Sequence, residues 1–88
     1  MLSTTSKNSF YPAIFHQAEE GGFWISFPDF PECFSDGEDM TEAYEIASNA
    51  LELALTTRKE AGEVIPSASH PMQITAYDDD FVVMIPVF

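Results

Sequence analysis

The chain has one cysteine, three lysine and arginine residues against fifteen aspartates and glutamates, and only four glycines in 88 residues. Cys33 has no second thiol to pair with, which excludes a fold stapled by internal disulfides. A net charge of −12 leaves no basic patch from which affinity for a phosphate backbone can be built, so direct nucleic-acid binding by this chain is not expected. No apolar run approaches the roughly 20 residues that a membrane-spanning helix needs. The opening MLSTTSKNS lacks the apolar stretch of a signal peptide, and a cytoplasmic chain is expected. Two histidines, His16 and His70, stand in no metal-ligand spacing with Cys33.

What is present is apolar and aromatic. Hydrophobic residues make up 45% of the chain and aromatics 14%, too much greasy surface for a disordered segment despite the charge. One domain is expected over residues 10–88, after a flexible N-terminus of residues 1–9. At this size a single core is barely sufficient, so a homo-oligomer or a complex is expected to supply further burial.

Phe10–Gln17 reads as a strand with Tyr11, Ala13 and Phe15 on one side and Pro12, Ile14 and His16 on the other. Ala18-Glu19-Glu20-Gly21-Gly22 makes a hairpin connection to a second strand. There Phe23, Ile25 and Phe27 share one face and Trp24 and Ser26 the other. Pro28 and Pro31 remove amide donors and frame a rigid bend that carries Phe30. A short strand at Cys33–Ser35 leads to a tight turn at Asp36-Gly37, and Asp39 with Glu42 has the spacing of a capping box.

A helix is predicted from Met40 to Ala61, ending at Gly62 with Arg58 and Lys59 in its last turns. Its apolar residues, Ala43, Ile46, Ala47, Ala50, Leu51, Leu53, Ala54 and Leu55, spread over an arc of roughly 200° at about 100° per residue. That exceeds what one sheet face needs, and Tyr44, Leu51 and Leu55 are expected as the surplus that meets a second surface. After a loop at Glu63–Pro71, strands are predicted at Met72–Tyr77 and Phe81–Val87 around the turn Asp78-Asp79-Asp80. FVVMIPVF, apolar on both alternations, reads as a strand covered on both faces, with Pro86 pushing its far end to an edge. A helical crossover predicts that this last strand lies parallel to an earlier one.

The tract WISFPDFPECFSDGEDMTEAYEIASNALELAL, preceded by YPAIF and an EEGG turn and followed by GEVIPSAS, resembles the amino-terminal domain of the HicB-like antitoxins. The likeness covers roughly residues 10 to 69 and lies in the order of the motifs: aromatic strand, proline-bounded bend, S-DG turn, alanine/leucine helix. Glu32 stands where that family usually has glycine, and Asp39 where a threonine usually caps the helix. The resemblance implies an α+β fold, a β-β-β-α-β partial ribonuclease-H-like sheet with one long helix packed on one face. It also implies an antitoxin of a type II toxin-antitoxin system, which occludes a small basic HicA-like mRNA-cleaving toxin. Full-length members usually add a carboxy-terminal DNA-binding module. An end on a strand at Phe88 leads to the expectation of a truncated chain.

Catalytic readings are weak. Nuclease chemistry on such a fold needs several carboxylates gathered on the sheet around two metals, whereas the strands here hold Phe, Trp, Ile, Val and Ala. Three consecutive aspartates at Asp78–Asp80 point in diverging directions and read as a solvated turn. Cys33 reads as a small buried hydrophobe and His16 as an ordinary strand residue. No enzyme activity, cofactor or metal is expected. The candidate partner-binding set is Trp24 and Phe30, framed by Asp29, Glu32, Asp36 and Glu38 as a charged rim, although both rings are also compatible with a core role. The alternative is a self-associating structural or small-ligand-binding domain with no toxin partner.

Overall fold

Alternation along the strands and a four-residue repeat along the helix meet in one two-layer arrangement, seen in a computed structural model that describes residues 9–87. Residues 1–8 of the expected flexible N-terminus, and Phe88, lie outside the described residues. Four strands, β1 (Ser9–Gln17), β2 (Phe23–Ser26), β3 (Phe34–Gly37) and β4 (Phe81–Val87), form a sheet in the order β3-β2-β1-β4, and α1 (Met40–Glu60) follows β3 in the chain. The helix packs on one face of the sheet, as expected. Tyr11, Ala13, Phe15, Ile25, Phe27 and Ile85 from the sheet side meet Ala43, Ala47, Leu51 and Leu55 from the helix. Each fully buried Leu or Phe in this layer contributes about 1.5–3 kcal/mol.

Close approach depends on small residues. A Cβ placed on Gly37 would lie 2.6 Å from the Ala43 backbone nitrogen, so the end of β3 and the first turn of α1 touch backbone to backbone. The start of α1 is capped as the spacing predicts: Asp39 accepts from the Glu42 N–H at 2.8 Å. The Glu42 carboxylate reaches one residue further back than a standard box and accepts from the Glu38 N–H at 2.7 Å. At the other end Gly62, at φ 73°, donates to the Lys59 carbonyl and Glu63 to that of Arg58, closing the helix.

The proline bend resolves into two consecutive turns, Phe30 N–H to Phe27 carbonyl and Cys33 N–H to Phe30 carbonyl, with Pro28 and Pro31 each second in its turn. Other expectations are corrected. Asp36 and Gly37 form no separate turn; they extend β3 and pair with Trp24 and Phe23. The helical surplus is not Leu51 and Leu55, which are buried, but Ile46 and Leu53, 36% and 67% exposed, together with Tyr44.

The last strand is antiparallel to its neighbour β1, not parallel to an earlier strand, and every pairing in the sheet is antiparallel. The cause lies in the connection after α1. The helix carries the chain from the hairpin end of the sheet to its far end, where the Tyr11 hydroxyl donates to the Pro66 carbonyl at 2.7 Å. The chain then runs the whole length back before β4 starts. That return contains no strand at Met72–Tyr77, only a single 3-10 turn at Pro71–Gln73 capped by His70. β4 is an edge strand along its whole length, not only at its Pro86 end, and Ile85 is its one fully buried residue, the others being half-buried rather than covered on both faces.

Candidate functional site

The sheet face opposite the helix carries the even alternation. Three side chains lie abreast across it, because His16 pairs with Trp24 and Trp24 with Asp36 in the ladder register. Trp24 is 44% exposed, and its ring stacks on His16 with centroids 3.6 Å apart and planes 9° apart. The imidazole is held at both nitrogens, Nδ1 by the Asp80 carboxylate at 2.7 Å and Nε2 by the Ser26 hydroxyl at 2.8 Å. A carboxylate at Nδ1 accepts from the ring, which leaves Nε2 of the neutral ring to accept the Ser26 proton. Asp80 also accepts from the Gln17 N–H at 3.3 Å, tying the start of β4 to the end of β1. Of the aspartate turn, then, Asp78 and Asp79 are exposed as expected while Asp80 is structural.

Asp80, His16 and Ser26 fall in the hydrogen-bond order of a nucleophile relay. Ser26 sits in ladders on both sides, paired with Ile14 and Phe34, at the end of β2. The arrangement fixes rings and strands. Among the described residues no group of three or more His, Cys, Asp or Glu side chains is placed to hold a metal ion.

Beside Trp24 opens a cleft of about 630 Å³ lined also by Asp36, Glu38, Glu42, Glu19 and Glu20. The structure therefore brings together three of the six residues singled out from the sequence, Trp24, Asp36 and Glu38. The other three go elsewhere. Phe30 is fully buried, with Tyr11 edge-on at 5.0 Å and the Arg58 guanidinium 4.9 Å from its ring centroid, so it is corrected from an interface ring to a core residue. Two rigid turns point it inward under the end of the helix. Asp29 spends its carboxylate on Ser69, accepting from the N–H at 2.9 Å and from the hydroxyl. Glu32 receives Arg58 through two hydrogen bonds of 2.8 Å each.

These pairings set the local electrostatics. Hydrogen bonding from Arg58 holds the Glu32 carboxyl below its ordinary range, and the same bonds raise the Arg58 guanidinium. Burial pushes the Cys33 thiol up, with the Glu32 charge adding to it, which suits an unreactive buried side chain. Burial also raises the Tyr11 phenol, helped by the Asp29 charge.

A second, smaller feature lies at the β3 edge, where Phe34, 65% exposed, and Leu53 border a groove of about 260 Å³ with Cys33, Ala50, Ala54, Thr57 and Glu32. Sequence reasoning leaves Phe34 with the core and Glu42 with the helix cap, and gives Glu19 and Glu20 no part in the site. The alternation that exposes Trp24 exposes Phe34 as well once the β2–β3 register is known, but that register is not written in either strand alone.

The fold and site define a small acidic α+β domain with one helix on an antiparallel sheet and an aromatic, carboxylate-lined cleft at its hairpin end. Residues 11–87 match the family described as HicB_like antitoxin of bacterial toxin-antitoxin system, and the chain belongs to that family. It is 43% identical over 60 residues to Antitoxin HicB 1 of Photorhabdus laumondii and 42% identical over 59 residues to Antitoxin HicB of Escherichia coli K12. Those matches cover 68% and 67% of this chain but 39% and 43% of the relatives, so the matched part spans about two-fifths of their length. Among solved structures, the fold is similar to that of a toxin-antitoxin complex from Streptococcus pneumoniae, with a TM-score of 0.78 and 22% identity. That likeness covers 92% of this chain and 69% of the other. The N-terminal domain of Burkholderia pseudomallei antitoxin HicB is similar at a TM-score of 0.75 and 22% identity, covering 90% of this chain and 98% of that one.

Proposed function

We propose that this chain is the neutralising domain of a toxin-antitoxin pair, capturing a small basic HicA-like mRNA-cleaving toxin through the Trp24 cleft. The observation that carries this reading is the pairing of an exposed tryptophan with five carboxylates in one open cleft, on a chain of net charge −12. Acids of this density steer a cationic partner toward the surface, and a buried ring sets how long it stays. No catalytic role for the chain itself enters this reading. Co-expression with the basic protein of the adjacent reading frame, followed by size-exclusion chromatography, is expected to give a heteromeric species. Trp24→Ala is expected to weaken capture by roughly 2 kcal/mol or more with the fold intact. Unchanged affinity in that variant would move the interface elsewhere.

A second reading, self-association without a toxin, is favoured by the groove at the β3 edge, where Phe34 and Leu53 stand exposed beside the outer edge of a strand paired on one side alone. A homo-oligomer lost on Phe34→Ser, with no basic partner captured, would support it.

A further inference from the structure

We infer that Trp24, backed by His16, is a binding platform for a guanidinium group, so that the cationic partner is recognised through arginine rather than through positive charge alone. The inference rests on the toxin-capture reading and names the chemistry of its site. Neighbouring strands in a sheet lie about 4.8 Å apart, yet the His16 and Trp24 rings are only 3.6 Å apart and nearly parallel, so the two side chains lean together face to face. One face of the indole is thereby occupied. The other face is not covered by His16, and Trp24 pairs with Asp36 across the β2–β3 ladder and lines the cleft with Asp36, Glu38 and Glu42.

A tryptophan face beside carboxylates suits a flat, weakly hydrated cation that can stack on the ring and donate two parallel hydrogen bonds at its edge. Guanidinium has that shape, and the compact, strongly hydrated ammonium of lysine does not. His16 acts as a positioning residue in this account. Pinned at both nitrogens by Asp80 and Ser26, it holds the stacked indole in place, so the platform is formed before a partner arrives.

The test compares a hexa-arginine with a hexa-lysine peptide by isothermal titration calorimetry, with the emission of Trp24, the only tryptophan, as the site reporter. The arginine peptide is expected to bind roughly two- to fivefold tighter and to perturb Trp24 emission more. Trp24→Leu is expected to bring the two peptides to equal affinity. His16→Ala is expected to erode the arginine preference, and His16→Phe, which restores a stacked ring, to recover it. Thermal melts of each variant confirm folding. Equal binding of the two peptides by the wild type, or an arginine preference that survives in Trp24→Leu, would overturn the inference. If a basic protein partner is captured in a Trp24-dependent way while the peptides bind alike, the guanidinium platform fails and the capture reading stands. If the arginine preference holds and no protein partner is captured, the capture reading fails instead.

Discussion

At the scale of single residues, two side-chain positions on β3 make opposite demands. Gly37 has no room for a methyl group against the Ala43 backbone, and both sides of that contact are main chain that cannot rotate away. Gly37→Ala is therefore expected to lower stability by on the order of 2 kcal/mol through overpacking, read from a denaturant midpoint. Two residues earlier, Ser35 buries a hydroxyl oxygen with no hydrogen-bond partner among the described residues. A polar atom in that state costs free energy, so Ser35→Ala is expected to leave stability unchanged or to raise it in the same measurement. Neither effect is visible in the string SDG, where glycine after aspartate reads equally well as a turn. The reason for the glycine is the approach of a helix that the local sequence does not describe.

Among elements, the bend between β2 and β3 is tied to the end of α1 by the Glu32–Arg58 pair, and the same Arg58 lies over buried Phe30. Because the Glu32 carboxyl is held below its ordinary range, the pair contributes above the usual carboxylate pKa, and that contribution disappears as pH falls through the depressed value. Unfolding free energy measured against pH is expected to show the wild type converging on Glu32→Gln in acid and exceeding it at neutral pH. The strands of the first hairpin, the helix and its cap were legible in sequence because each rests on short-range signals: alternation, glycine at positive φ, an aspartate three residues before a glutamate. Direction in the sheet was not. Met72–Tyr77 alternates convincingly, but no ladder partner reaches it, and only the length of chain needed to return along the sheet explains why β4 runs antiparallel to β1. The candidate site divides in the same way. Trp24 was readable from strand alternation alone, whereas Phe30, Asp29 and Glu32 face partners 26 to 40 residues away that no local pattern reveals.

For the whole molecule, charge is distributed so that the acids lining the cleft share one side with the exposed indole. Association with a basic partner is expected to slow steeply as salt rises, while the dissociation rate changes little, a split that stopped-flow Trp24 fluorescence resolves. The apolar layer between sheet and helix carries stability, and the opposite face remains available for contact.

The long return that inverts β4 has a mechanical outcome. The final strand is laced to a single neighbour and buttoned at its first residues by Asp80, so pulling or fraying from the carboxyl side meets its ladder one rung at a time. Loosening of that ladder from the Val87 rung would reach the His16–Asp80 contact last, so the ring that backs the indole sits at the firmer end of the pairing.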